Sequence, residues 1–515
     1  MLAFEGIEVP DWLKSRLRES PPAGVTLFRE WNLESPEQAA ELTSSLQDLN
    51  SGDQPLLIAV DQEGGQLIGI TGATPFAGNM ALGATGDGDL AQAVARAMGA
   101  ETAAVGVNLN YAPVADISTR ADNPSTGVRS FGEDPVAVAR LAAATIRGMT
   151  DAGVLSAVKH FPGQGDIAVD PHYELPSLDF DQERLDAFEL QPFRAALEAR
   201  VGLVMIGHYL VPALTGSRET PIYASRRGIE EFIRGELGFD GVVITDALDM
   251  GAVDQGPTQA IEVVAMMRAG VDLLMCMPDP DLQAKVRAAV ERGHARDLIP
   301  DDLLGASRER VDLLRKGLRI AAPEPAIVGG PEHLRLATEL AERSVTLVRN
   351  DDALLPLRLG PDDRVLSLEP APSKVTPADT MDLYPPSLAP SLRAHHPSVT
   401  EIVYPHHPGP SDVAGAVAAT QSHDLVVVGT VNASSGQADL VSALVGAGKP
   451  VVTVALRAPY DLLSYPDART HLCTYSGHEP SMRALAALLF EGEGGRGRLP
   501  VTIPGLHPLG HGLTL

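Results

Sequence analysis

The sequence predicts an α/β protein: a (β/α)8 barrel of the TIM type followed by a smaller α/β sandwich domain. Short apolar runs alternate with segments of helical period over about 300 residues. Several of these runs are followed directly by carboxylate, lysine or histidine residues. A segment rich in proline and glycine then separates this region from a second set of apolar runs. A doubly wound open sheet is the competing fold for the first region.

The predicted barrel strands are short apolar runs, as expected for strands that a parallel sheet buries on both faces. The segments between them, such as LAQAVARAMGAETAAVG and RGIEEFIRGELG, carry apolar residues at three- and four-residue spacing, which is the helical period. At this length a closed barrel is favoured. The predicted strands are 25–28, 56–60, 107–111, 154–158, 203–206, 242–244 and 271–275.

The segment 321–331, AAPEPAIVGGP, predicts a linker because proline and glycine interrupt regular structure. We therefore assign the barrel to residues 1–320 and the second domain to residues 332–515. The second region opens with a helical stretch, LRLATELAERSVTLVRN, and continues with strand-like runs. These runs are 365–368, 425–428 and 451–455.

Composition excludes several classes of partner. The chain has 515 residues, 44% of them hydrophobic, which is enough for two domains with large cores. Its net charge of -27 argues against nucleic acid or an anionic membrane as a partner. Cys276 and Cys473 lie far apart and are interpreted as buried free thiols. With no signal-peptide pattern and no apolar stretch of about 18 residues, a cytoplasmic protein is expected.

Polar residues of catalytic type follow four of the predicted strands. Asp61, the Lys159–His160 pair, His208 and Asp246 each come just after an apolar run. In a barrel the C-terminal strand ends converge on one face, which is where active sites lie. An open sheet would spread the same residues apart.

The stretch KHFPGQGDIAVDPHYELP, residues 159–176, contains an Asp-x-His pair, Asp170 and His172. Residues two apart in an extended segment point to the same side, and Pro171 pushes Asp170 towards that conformation. Asp170 then accepts a hydrogen bond from one ring nitrogen and leaves the other for proton transfer. The alternative for His172 is an ordinary loop histidine.

Asp246 has two interpretations, a helix N-cap or a carboxylate nucleophile that attacks an anomeric carbon. Asp61, Lys159 and His160 are either strand-end structure or groups that bind sugar hydroxyls. Arg129 is either a surface ion-pair partner or a further sugar ligand. Metal binding at the histidine pairs 395–396 and 406–407 is disfavoured, and no GxGxxG after the first strand or GxxxxGK[ST] motif supports a nucleotide cofactor. We expect neither metal nor cofactor.

Seven motifs in order resemble glycoside hydrolase family 3, specifically its bacterial β-N-acetylglucosaminidase branch. The resemblance covers essentially the whole barrel and continues more weakly through SVTLVRN and GEGGRGRLPVTIPG in the second region. The motifs are VDQEGG, NMALGAT, VNLNYAPVADI, GVRSFGEDP, KHFPGQGDIAVDPH, VMIGHYLVPAL and GFDGVVITDALDM.

The resemblance implies roles for seven residues. Asp246 matches the nucleophile, and His172 with Asp170 matches the acid/base dyad of this branch. Glu479, in YSGHEPSM, lies in the region from which the β-glucosidase branch takes its acid. The residues that match sugar ligands next to the scissile bond are Asp61, Arg129, Lys159 and His160.

The implied activity is that of a retaining exo-β-N-acetylglucosaminidase without a cofactor. The implied substrates are oligosaccharides that contain N-acetylglucosamine, such as cell-wall fragments recycled in the cytoplasm. The alternatives are a phosphorylase acting on the same glycosides, a β-glucosidase of the same family, and a non-catalytic sugar-binding barrel.

Three positions depart from the family pattern. Pro171 replaces the usual serine or threonine inside the dyad, and Gln164 replaces a common histidine. Gly69 stands where the family typically carries an arginine after DQEGG, and Gln66 brings no positive charge. We therefore expect one sugar contact to differ.

Overall fold

The computed structural model describes the chain except residues 254, 255, 319 and 321, and of Pro257 it describes the backbone alone. The first residue of the predicted linker thus lies outside the described residues. The last α-helix of the barrel region ends at Lys316, and the next α-helix begins at Pro331. The described part of the segment between them contains a short 3-10 helix, Pro325–Ile327.

Among the described residues, the first region is a nearly closed barrel of seven parallel strands in the order β1-β2-β5-β6-β7-β8-β9. Strands β3 and β4 form a separate antiparallel hairpin directly after β2. The strands are β1 (Gly24–Thr26), β2 (Leu57–Val60), β3 (Gln62–Gly64), β4 (Leu67–Ile68), β5 (Leu109–Asn110), β6 (Leu155–Phe161), β7 (Leu203–Ile206), β8 (Val242–Ala247) and β9 (Leu273–Met275).

The predicted α/β barrel is confirmed, and the part of the chain that the structure describes contributes seven parallel strands to it, one fewer than the (β/α)8 pattern. Residues 1 and 2 bridge the opening between β9 and β1. The Cys276 amide donates to the Met1 carbonyl (3.1 Å), and the Leu2 amide donates to the Gly24 carbonyl (3.1 Å). Two residues are too few for a regular strand, so the closing segment carries no periodic signal in the sequence.

Helices cover the outside of the barrel, and several begin at a side-chain cap. Ser35, Asp87, Asp134 and Asp279 each accept a hydrogen bond from a backbone N–H of the first turn, which satisfies a donor that the helix leaves unpaired. The helices are α1 (Asp11–Glu19), α2 (Arg29–Asn32), α3 (Pro36–Leu49), α4 (Asn79–Thr85), α5 (Gly88–Ala104), α6 (Pro135–Asp151), α7 (Gln182–Ala187), α8 (Leu190–Glu198), α9 (Pro212–Thr215), α10 (Gln259–Ala269), α11 (Pro280–Ala295) and α12 (Asp301–Lys316), with a π-helix at Arg227–Glu236 and 3-10 turns at Gly127–Arg129, Ile222–Ala224 and Gly256–Thr258.

The second region is a six-stranded sheet in the order β10-β15-β14-β13-β11-β12, in which β10 runs antiparallel to β15. Its elements are β10 (Thr346–Asn350), β11 (Val365–Pro370), β12 (Val399–Tyr404), β13 (Leu425–Thr430), β14 (Val451–Ala455) and β15 (Thr470–Cys473), with helices α13 (Pro331–Ser344), α14 (Leu388–Arg393), α15 (Pro410–Thr420), α16 (Ser435–Gly446) and α17 (Glu479–Glu491) and 3-10 turns at Met381–Leu383 and Pro459–Ser464.

Helices pack on both faces of this second sheet, as the predicted sandwich requires. Along β13, Val427 packs in the cluster that contains residues of α14 and α17, while its neighbours Val426 and Val428 pack with residues of α16. Alternate residues of a strand point to opposite faces, so a continuous apolar run indicates burial on both. The cluster on the Val426 face also contains Met80 and Leu141 of the barrel, which joins the two regions through apolar contacts.

Cys276 and Cys473 are buried free thiols, as predicted. Within the described part of the chain, no helix combines the length and the apolar character that crossing a membrane requires.

Candidate active site

A cavity of about 400 Å³ opens at the C-terminal ends of the barrel strands. This volume is typical of a small-molecule site. Six of the seven predicted site residues line it: Asp61, Arg129, Lys159, His160, His172 and Asp246. The seventh, Asp170, reaches the site through its hydrogen bond to His172.

Asp246 is the fifth residue of β8, and its Oδ1 accepts the Ala247 N–H at 2.8 Å. Burial raises the pKa of this carboxyl, but the nearby His160 and His208 imidazoles and the Ala247 N–H outweigh it, so the pKa lies below its ordinary value. The carboxylate is therefore ionised at neutral pH and available as a nucleophile.

The Asp170–His172 pair forms, but by a different backbone geometry from the one predicted. The Tyr173 amide donates to the Asp170 carbonyl (3.0 Å), so the segment is a turn and not an extended strand. Asp170 Oδ1 accepts the His172 backbone N–H at 3.0 Å and lies 2.6 Å from His172 Nδ1. Aspartate side chains stabilise turns by bonding the amide two residues on, and this favours the turn over the extended form.

The hydrogen bond between Asp170 and His172 shifts the pKa of both side chains. Burial lowers the pKa of His172, but the hydrogen bond to Asp170 and the negative charge of Asp170 outweigh it, so the pKa is raised. Burial raises the pKa of Asp170, but the bonds from His172 hold it below its ordinary value. An ionised carboxylate accepts only, so Nδ1 donates to Asp170 and Nε2 is left for proton transfer.

Arg129 and Lys159 share a buried carboxylate, Glu63, to which the sequence analysis assigns no role. Arg129 donates to both Glu63 oxygens, at 2.8 and 2.9 Å. Lys159 Nζ lies 2.6 Å from Glu63 Oε1 and 2.6 Å from Asp61 Oδ1. Burial raises the pKa of Glu63, but the two cations hold it well below its usual range. The network fixes both cations at the wall of the cavity.

His160 is oriented by Asp116, a buried residue that sequence reasoning did not select. Asp116 Oδ2 lies 2.7 Å from His160 Nδ1, and Asp116 Oδ1 accepts the His160 and Gln164 backbone amides at 3.1 and 2.9 Å. The Tyr209 hydroxyl donates to Gln164 Oε1 at 2.7 Å. Hydrogen bonds to its backbone amide and to its side-chain oxygen therefore hold Gln164 in place.

His208 follows β7, as predicted, but it is fully buried and forms a hydrogen bond with the end of β8. Its Nε2 donates to the Ala247 carbonyl at 3.0 Å, next to Asp246. Its ring packs edge-on against Tyr223, with ring centroids 5.1 Å apart. Burial lowers the pKa of the His208 ring below its ordinary value.

Gly69 lies on the cavity wall, where the backbone leaves no room for a side chain. A Cβ at this position would lie 2.4 Å from the Asp61 carbonyl oxygen. A cationic residue of another element lines the same cavity. This residue is Arg29, the first residue of α2, which begins just after β1. Arg29 Nη1 donates to the Tyr384 hydroxyl (2.8 Å) and to the Ile68 carbonyl (3.4 Å). Arg29 therefore places a cation on the cavity wall beside the β3–β4 hairpin.

The second domain builds part of the cavity wall with residues 377–380. Arg457 pairs with Asp379 at 2.6 Å and also donates to Gln66 of the barrel. Gln66 Nε2 donates to the Ala378 carbonyl at 2.8 Å, and its own carbonyl accepts the Thr380 amide at 2.8 Å. The contacts couple the β3–β4 region to the second domain.

Glu479 begins α17, where its side chain is 69% exposed and lies 3.7 Å from Arg483. It does not belong to the described lining of the cavity. Among the residues that the structure describes, no group of three or more His, Cys, Asp and Glu side chains is arranged to hold a metal ion.

The fold and the cavity define a barrel protein with a polar small-molecule site at the C-terminal ends of its strands. A family model, described as the N-terminal domain of glycosyl hydrolase family 3, matches residues 7–314. The chain belongs to glycosyl hydrolase family 3, and it is a glycoside hydrolase.

Relatives match most of the chain. It is 31% identical to β-hexosaminidase A of Pseudoalteromonas piscicida, over 96% of this chain and 91% of that protein. It is 28% identical to a β-N-acetylglucosaminidase/β-glucosidase of Cellulomonas fimi, over 88% of this chain and 84% of that protein. The structure of a family 3 β-N-acetylglucosaminidase from Paenibacillus sp. str. FPU-7 superposes with a TM-score of 0.91 at 33% identity, covering 98% of this chain and 97% of that one.

Proposed function

We propose that this protein is a retaining exo-β-N-acetylglucosaminidase that works through a covalent glycosyl-enzyme intermediate on Asp246. One observation carries the proposal: the hydrogen-bonded Asp170–His172 pair and the ionised Asp246 meet at a single cavity. The names of the relatives from Pseudoalteromonas and Paenibacillus support the choice of sugar.

In the first step an Asp246 oxygen attacks the anomeric carbon while the bond to the leaving oxygen breaks. The proton on His172 Nε2 passes to that oxygen, and the alcohol departs. In the second step His172, now neutral, takes a proton from water, and the hydroxide oxygen displaces Asp246. The two displacements restore the β configuration and return the proton to His172.

The groups around the reactive pair are suited to hold a sugar ring. Asp61 accepts from hydroxyls, while Arg129, Lys159 and His160 present donors that the buried Glu63 and Asp116 hold in place. Preorganised donors of this kind lower the cost of orienting a substrate. We propose oligosaccharides or cell-wall fragments that end in N-acetylglucosamine as substrates, processed in the cytoplasm.

The test compares aryl β-N-acetylglucosaminide with aryl β-glucoside, each with and without inorganic phosphate. We expect preference for the N-acetyl sugar. We also expect the free sugar to be released with the β configuration, which NMR detects. Preference for the plain glucoside would overturn the assigned sugar. Release of the α anomer first would overturn the covalent mechanism.

The same experiment tests two alternative functions. The Cellulomonas relative is named for both N-acetylglucosaminidase and glucosidase activity, which favours relaxed recognition as the second candidate. A neutral histidine base, unlike a carboxylate, does not repel an anionic acceptor. Sugar 1-phosphate formed on adding phosphate would therefore identify a phosphorylase.

We predict that Asp170→Asn moves the alkaline limb of the pH profile to lower pH. Asp170 raises the pKa of His172, so its removal lowers that pKa and reduces the protonated fraction near neutral pH. The acid form is needed when the leaving group departs, and we expect a loss of roughly 10- to 100-fold at neutral pH. The measurement is kcat/KM against pH with a poor leaving group.

The matched control for this variant is Asp179→Asn, in the same loop, where the carboxylate is 55% exposed and pairs with Arg218. We expect its pH profile to match that of the wild type. An unmoved alkaline limb in Asp170→Asn would contradict the acid role of His172.

A further inference from the structure

The loop that carries His172 is held at its two ends by different parts of the barrel. Near its start, Asn123 Nδ2 donates to the Gln164 and Gly165 carbonyls at 2.8 and 3.0 Å. Near its end, the Leu210 amide donates to the Pro176 carbonyl at 2.9 Å. These hydrogen bonds lie several residues from His172, so they do not fix the position of its backbone. Other contacts must do so.

The tip of the loop docks on the turn that follows the nucleophile strand. The Gly251 amide donates to the His172 carbonyl at 2.9 Å, and the Ala252 amide donates to the Pro171 carbonyl at 3.2 Å. Gly251 lies five positions after Asp246 in the chain. One short turn therefore connects the residue proposed as nucleophile with the residue proposed as acid.

The turn that receives the loop is itself firmly placed. The Leu248 amide donates to the Met275 carbonyl of β9 at 3.0 Å, and the Val253 amide donates to the Met250 carbonyl at 2.8 Å. Leu248, Met250, Ala252 and Val253 are all buried. A buried, hydrogen-bonded turn is a rigid surface on which a loop can be positioned.

The close approach requires glycine at position 251. A Cβ there would lie 2.6 Å from the Tyr173 carbonyl oxygen and 2.9 Å from the His172 carbonyl oxygen. Both obstacles are backbone atoms of the dyad loop, so a side chain would push the loop away instead of rotating past it. Real Cβ atoms essentially never approach closer than 3.0 Å.

We infer that Gly251 is a positioning residue that latches the His172 loop to the nucleophile strand. This inference rests on the proposed acid role of His172. The two backbone hydrogen bonds from Gly251 and Ala252 set the distance between the proton donor and the nucleophile. Both bonds can form only because position 251 has no Cβ. Gly251 touches neither the substrate nor the reacting atoms in this role and acts through His172.

The test is Gly251→Ala, assayed with aryl N-acetylglucosaminides whose leaving groups span a range of pKa. We expect kcat/KM to fall about 10- to 100-fold for poor leaving groups, because a displacement near 1 Å has an effect of that size. Leaving groups that depart without protonation should lose much less. Gly305→Ala, where an added Cβ meets nothing within 4 Å, is the matched control and should behave as wild type.

A double-mutant cycle separates the latch from a general loss of structure. In a His172→Ala background, Gly251→Ala should add no further loss, since the residue acts through His172. An equal loss in both backgrounds, or a wild-type leaving-group dependence in Gly251→Ala, would overturn the latch. If His172→Ala alone left poor leaving groups unaffected, the proposed function would fail before the latch is tested.

Discussion

Asp246→Asn is expected to reduce turnover of an aryl β-N-acetylglucosaminide by at least about 10³-fold. The amide cannot attack the anomeric carbon, because its lone pairs are far less nucleophilic than those of a carboxylate. The amide oxygen can still accept the Ala247 N–H, so the strand end keeps its bond. The measurement is kcat/KM together with calorimetric titration of the product sugar, whose binding should persist.

The matched control is Asp240→Asn, an exposed aspartate just before β8. It removes the same charge near the same strand and should leave kcat/KM unchanged. Asp246→Ala with added azide supplies a second readout, since azide entering from the vacated face gives the α-glycosyl azide. Retained turnover in Asp246→Asn would remove Asp246 as the nucleophile.

His172→Ala is expected to cause the second large loss of activity, and the size of this loss should depend on the leaving group. Loss of general acid catalysis typically costs 10²- to 10⁴-fold, and we expect this range for poor leaving groups. Dinitrophenyl leaving groups need no proton, so their glycosylation step should be nearly unaffected. Hydrolysis of the intermediate should then become slow, and azide should restore turnover as the β-glycosyl azide.

His294→Ala is the control for this substitution, because His294 lies on α11, with its side chain 49% exposed and outside the described cavity lining. It should keep wild-type rates for every leaving group. A uniform loss across leaving groups in His172→Ala would indicate damage to the site and contradict the acid/base role.

The barrel and its site could be predicted from local patterns because each predicted strand run overlaps an observed strand. Leu203–Ile206 and Val451–Ala455 agree to the residue. The convergence of Asp61, Lys159 and Asp246 followed from a general property of barrels, since C-terminal strand ends share one face. The seven runs predicted for the barrel correspond to the seven parallel strands of the described residues, while the two-residue segment that bridges β9 and β1 leaves no periodic trace in the sequence.

The dyad shows a correct pairing reached by an incorrect backbone argument. An extended segment and a turn both bring Asp170 and His172 together, and the spacing in the sequence is the same for either. The aspartate bond to the His172 amide decides between them, and this bond is visible only in three dimensions.

The sequence by itself determined the class of fold, the strand ends that carry chemistry, and the pairing of a histidine with an aspartate. Tertiary structure decided that Glu63 pairs with both Arg129 and Lys159, that Asp116 orients His160, and that Arg29 lines the same cavity as Gly69. It also decided that residues 377–380 of the second domain complete the cavity. Hydrophobic period and strand-end position are local properties of a chain, whereas charge pairing and close backbone approach depend on which distant segments become neighbours.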